Sequence, residues 1–152
     1  MGRLRFLRHA QNAANLYNEL VAQQKHYISE AKFPKIPALY VFYLGDRAVH
    51  VGRTRNLRQR MTGHRSNSHY SASFAFKLAR AATGIEPTYR KGEGRAALML
   101  DPVFKPAFDA ALLQVKGMKV QYLEVKDPLD QYMLELYAAL ELNTSLSEFD
   151  TH

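Results

Sequence analysis

Residues 38–52, ALYVFYLGDRAVHVG, constrain the fold more than any other stretch of the chain. ALYVFYL is rich in β-branched and aromatic residues, the composition of a strand. Gly45-Asp46-Arg47 is a short polar turn, and AVHVG resumes the strand pattern, so the segment reads as a β-hairpin. Met118 to Val125 reads as another strand, expected to pair with it.

The remaining periodicity is helical. Apolar residues at 13, 16, 17, 20, 21, 27 and 28 predict a helix over 13–28, ended by Pro34 and Pro37. Thr54 can cap a helix running to about His64 with Leu57 and Met61 on its buried face. SASFAFKLARAA, residues 71–82, reads as a helix closed by Gly84. Asp101-Pro102 has the form of a cap followed by proline, opening a helix to about Val115, and Pro106 allows a later start. Asp127-Pro128 repeats that signature before the apolar helix QYMLELYAALEL. The expected fold class is therefore α/β, of the α+β kind: a small central antiparallel sheet flanked by helices. A helical arm over 1–36 would precede a single domain over 37–152. No apolar run reaches the length of a membrane span, and the basic N-terminal stretch lacks the apolar region of a secretory signal. The chain has no cysteine, so disulfides and thiolate metal sites are excluded; a cytoplasmic location is expected.

Charge points to a partner. The net charge is +7, and between Arg47 and Arg65 lie six arginines, two histidines and no acid. The rest of the chain is nearly balanced. A basic stripe on an otherwise neutral protein is the footprint of a phosphate-backbone partner. The plain alternative is a solvated helix face, but such faces usually mix signs. Arg60 and His64 are four apart and share one face of a helix.

Residues 38–64, with Glu135 in MLELYAAL, resemble the signature of the GIY-YIG nucleases. Ala38-Leu39-Tyr40 stands where GIY is expected and His50-Val51-Gly52 where YIG is expected; Arg60 and His64 follow at the family's spacing. The resemblance covers roughly residues 38–149. It implies the GIY-YIG endonuclease fold and hydrolysis of phosphodiester bonds in DNA with a single divalent metal, Mg²⁺ or Mn²⁺. Tyr40, His50, Arg60, His64 and Glu135 would be the catalytic set, and Glu135 the metal ligand, since a hard cation takes oxygen donors. Arg60 would present its planar fork to the scissile phosphate. Tyr40 would hold the attacking water and act as base. An unperturbed phenol has a pKa of about 10, so that role calls for positive charge nearby. His64 would orient Tyr40 or relay its proton, and Gly52 would let the backbone turn closely beneath the site.

Two positions depart from the family. His50 replaces the second motif tyrosine, and imidazole can orient or deprotonate a water. Ser147 falls where an asparagine is expected; its hydroxyl still hydrogen-bonds but is shorter. Arg47, Arg53, Arg55, Arg58 and Arg65 are expected to grip neighbouring phosphates. DNA is the expected partner, with RNA left open, and double-strand cleavage would call for a homodimer. The rival reading is a catalytically weak or inactive nucleic-acid-binding module on the same fold. His9, His26 and His69 show no partner pattern.

Overall fold

In a computed structural model, which describes residues 1–66, 68, 72–88, 90 and 94–146, the apolar run 38–44 forms a strand buried from Ala38 to Tyr43. The described elements are α1 (Gly2–Val21), β1 (His26–Tyr27), β2 (Ala38–Leu44), β3 (Arg47–Thr54), α2 (Leu57–His64), α3 (Ser73–Thr83), α4 (Arg95–Leu98), α5 (Phe104–Lys116), β4 (Lys119–Glu124) and α6 (Pro128–Glu141). Among the described residues this is a mixed architecture of six helices and one four-stranded antiparallel sheet. No described helix is long and apolar enough to cross a membrane. Two compact units result: Met1–Arg58 with Met118–His152, and Gln59–Gly117.

In the first unit the strand order is β1-β4-β2-β3. β2 has a hydrogen-bonded neighbour on each side and is buried on both faces from Ala38 to Tyr43, which is why its sequence is continuously apolar rather than alternating. The hairpin turn is one residue shorter than expected, because β3 already begins at Arg47. Gly45 makes this possible by taking a left-handed φ of 62°. Register runs from Ala38↔Thr54 to Phe42↔His50 and then shifts, so that Tyr43 faces Ala48. Val49 is thus the extra residue of a bulge directly beside His50. β4 pairs with β2, as the sequence led one to expect, with Tyr40 opposite Tyr122.

α1 departs from the expected helix at both ends. It starts at Gly2, because Leu, Arg, Ala and Gln are good helix formers even where no apolar period marks them. It stops at Val21, where buried Gln121 takes over the helix-terminal carbonyls. The Gln121 Nε2 donates to the oxygens of Val21 and Gln23 at 3.1 and 2.7 Å. The chain then turns, and His26–Tyr27 becomes strand β1 against Val120 and Lys119 rather than the end of a helix. The core on this side joins Leu20 of α1, Leu39, Val41 and Tyr43 of β2, Val51 of β3, Val125, and Leu134 and Ala138 of α6. Each fully buried aliphatic side chain contributes about 1.5–3 kcal/mol. Residues 1–36 therefore carry both the exposed start of α1 and, through Leu20, a piece of the core. α6 opens as its sequence indicates: Asp127 Oδ1 accepts the Leu129 N–H at 2.8 Å, and Pro128 is the first helical residue.

In the second unit α3 packs against α5, with the ring of Phe76 4.9 Å from Phe104 and 6.4 Å from Phe108. Gly84 closes α3 at φ 71°. Asp101 Oδ1 accepts the N–H groups of Val103 and Phe104, so the expected cap is used, although the regular helix starts at Phe104. Pro106 then sits in the first turn, where its missing N–H would have had no helical partner.

Candidate functional site

Pairing of β2 with β3 puts three sequence-selected positions, Tyr40, His50 and Gly52, on one face of the sheet together with Phe42. Tyr40 lies opposite Gly52 and Phe42 opposite His50, and alternation along each strand aligns them. The rings form a cluster: Tyr40 to Phe42 at 5.2 Å, Phe42 to His50 at 5.3 Å, and Tyr40 to His50 at 5.9 Å. Tyr40 and His50 are both buried. Gly52 is what admits the phenol, for a Cβ there would collide with the Tyr40 Cζ and hydroxyl. Its role is to make room for a ring rather than to turn the backbone.

Arg53, the next residue of β3, carries the second cluster. Its guanidinium lies 3.8 Å over the ring of Tyr132 and its Nε is 3.6 Å from Glu135 Oε1. The Glu135 side chain is 9% exposed and that of Arg53 38%, so a nearly buried carboxylate faces a half-open cation. α6 is set against the sheet by buried Gln131, whose Nε2 donates to Val125 O at 2.8 Å and Thr54 O at 3.1 Å. Those carbonyls end β4 and β3, so Gln131 fixes where Tyr132 and Glu135 fall along β3. Alternation along β3 turns Arg53 to the other face of the sheet, where Leu39, Val41 and Val51 meet Leu134 and Ala138 of α6, so the two clusters share the Gly52–Arg53 peptide and lie on opposite faces.

The other selected residues are placed as follows. Arg55 and Arg58 are exposed; the Arg58 Nε donates to Phe33 O at 2.7 Å, which ties the start of α2 to the segment before β2. Arg47 is exposed at the start of β3. Thr54 does not cap α2 directly: its Oγ1 accepts the Asn56 N–H at 3.1 Å and shapes the turn before Leu57. In the second unit, Arg60 donates to Ser73 Oγ at 2.7 Å, Arg65 is half-buried, and His64 is fully buried at the end of α2. Ser147 lies outside the described residues.

Sequence reasoning missed Gln131 and Tyr132. A signal for Tyr132 existed, since it is three residues before Glu135 and shares its side of the helix. It also missed His9, whose Nδ1 hydrogen-bonds Asp130 Oδ1 at 2.7 Å. One ligand atom each from His9, Asp127 and Asp130 lies within 4.8 Å of the others, close enough to share a cation. The His9–Asp130 bond already satisfies two of the three without one. Glu135 offers one carboxylate, which suits a hard ion that completes its shell from phosphate oxygens and waters.

The chemistry available in the first unit is thus a buried phenol and a buried imidazole on one face of the sheet, and a carboxylate with a guanidinium on the other. Comparison with protein-family models, with curated proteins and with solved structures found no match.

Proposed function

We propose that the chain is a GIY-YIG-type endonuclease that hydrolyses phosphodiester bonds in DNA with one divalent metal. The observation that supports this reading is the register Tyr40↔Gly52 and Phe42↔His50, which groups a phenol and an imidazole on one face of the sheet; Glu135 and Arg53 stand on the opposite face, at the next position of β3. A phenol and an imidazole on one sheet face can hold and deprotonate a water. The Arg53 guanidinium can meet phosphate charge, and the Glu135 carboxylate can hold Mg²⁺ or Mn²⁺. The cation, when bound, would neutralise charge on the phosphate and on the leaving oxygen. This support comes from the first unit alone; Arg60 and His64 enter through the resemblance and through substitution.

The second reading is a nucleic-acid-binding module without turnover. Its specific support is that Arg53 already neutralises part of the Glu135 charge. Nicking of supercoiled plasmid separates the two. The nuclease reading expects nicks with Mg²⁺ or Mn²⁺ that disappear with chelator and with Glu135→Gln, while duplex binding persists. Binding without nicking under either ion leaves the module.

A further inference from the structure

The nuclease reading needs something that chooses a DNA sequence, and the basic stripe supplies only grip. α1 has the complementary property. Arg8, Gln11, Asn12 and Asn15 are spaced i, i+3, i+4, i+7 and so share one helical face, within roughly 100° of arc. They line a cleft of about 410 Å³ whose other walls are His9 and Asp130. Among the described residues these four side chains have no hydrogen bond or ion pair, so their donors and acceptors are open to a ligand. Asp130, the acid of the cleft, is held by His9 at 2.7 Å.

The setting of the helix matters as much as its face. His9 meets Asp130, and further along Tyr17 meets Tyr137, with ring centroids 5.3 Å apart, so α1 and α6 run parallel. α6 begins at Pro128, two residues before Asp130, which leaves Gly2–Phe6 projecting beyond its start by about 7 Å. Every residue of that projection is exposed. It carries Arg3 and Arg5, Arg8 follows it, and the first acid of the chain is Glu19. Buried Ala13 and Leu20 root the helix in the body. A helix about 10–12 Å across fits the major groove, about 12 Å wide. Arg, Asn and Gln are the side chains that read guanine and adenine edges there in pairs of hydrogen bonds.

We propose that α1 reads duplex DNA in the major groove through Arg8, Gln11, Asn12 and Asn15, while Arg3 and Arg5 hold flanking phosphates. The inference rests on DNA being the partner proposed above. An anionic membrane is the competing polyanion. It is disfavoured because exposed Leu4 and Leu7, about 60° apart, run along the same side of the helix into Arg8, Gln11 and Asn15, so the apolar strip is less than two turns long.

The test is binding by the full chain to a pool of randomised duplexes without divalent metal, followed by titration of the selected duplex and a scrambled one. The selected duplex should bind at least about tenfold tighter. Gln11→Ala and Asn12→Ala should each cut that ratio roughly tenfold and leave scrambled binding unchanged. Arg3→Ala and Arg5→Ala should weaken both duplexes alike and reduce the salt slope by about one each. Unchanged helicity by circular dichroism guards against misfolding of the variants. Equal binding to all duplexes, or a ratio indifferent to Gln11→Ala and Asn12→Ala, overturns the proposal. So does binding to phosphatidylserine vesicles without binding to DNA. A chain that selects a sequence yet never nicks with Mg²⁺ sinks the nuclease reading alone, and one that nicks without preference sinks this one alone.

Discussion

Tyr40 on β2 packs its phenol over the Cα of Gly52, its directly paired residue on β3. The pair explains why a glycine sits in the middle of a buried strand, where it would otherwise weaken the sheet. Gly52→Ala places a methyl group inside the phenol, in a core with rings on the same face at 5.2 and 5.9 Å. The expected cost is about 1–3 kcal/mol, read from the shift in denaturation midpoint. Any nicking activity should fall further than stability does, because the displaced group is the phenol itself. A variant as stable and active as the parent would show that the ring can move aside freely.

Gln131 gives a prediction that does not depend on function. Its amide serves two carbonyls at once, Val125 O and Thr54 O. Gln131→Leu keeps the volume roughly and leaves both oxygens without that donor. The expected loss is about 2 kcal/mol. Chemical denaturation checks it, and a loss near zero would mean that water replaces the amide without penalty.

The hairpin, the β4 pairing and the start of α6 were legible in the sequence because each rests on a local rule: β-rich composition, a glycine turn, and Asp-Pro at a helix start. The second half of α1 was legible from its apolar period, but its start was not, because residues 1–8 are exposed on every side. β1 was not, because His26 and Tyr27 look helical beside Ile28 and pair only through Val120 and Lys119, far along the chain. The same holds for the site. Tyr40, His50 and Gly52 could be placed together because a hairpin has one register. The contact of Arg53 with Tyr132 and Glu135 depends on how α6 crosses β3, and no spacing rule encodes a meeting of residues so far apart in sequence.

Two tyrosines should titrate late. Burial pushes the Tyr17 phenol above its usual 10.0, helped by Glu141 and Tyr137, and burial pushes Tyr43 up too, with Tyr17 adding to it. The native state therefore keeps protons that the unfolded chain releases near pH 10. Their contribution to stability is fully present below that pH and is lost as pH rises through the folded values. Tyrosinate absorbance should show part of the nine-tyrosine titration delayed and then released together with unfolding. Tyr43→Phe should remove part of the delayed signal. It should also cost about 1 kcal/mol, because the Tyr43 hydroxyl donates to Gln121 Oε1 at 2.7 Å. A titration with no delayed component would contradict the burial argument.

Glu135 and Arg53 can be separated into structural and chemical parts by a double-mutant cycle. Arg53→Ala removes one guanidinium from beside a carboxylate whose side chain is 9% exposed. A fully buried broken pair costs about 3–5 kcal/mol, but Arg53 is more than a third exposed, so screening reduces the expected loss to about 1 kcal/mol. Glu135→Gln removes the charge while keeping the shape, and in that background Arg53→Ala should cost almost nothing. Activity should follow a different rule. If Glu135 holds a hard cation, Glu135→Gln abolishes an interaction worth several kcal/mol to the reaction. That corresponds to a fall in nicking of more than about a hundredfold. Excess Mn²⁺ should not restore it, since a neutral amide is a poor ligand for a hard ion. Arg53→Ala should instead leave metal-dependent nicking detectable, because a guanidinium is not a metal ligand. Coupled losses of stability with equal losses of nicking in both single variants would reduce Glu135 to a structural partner of Arg53.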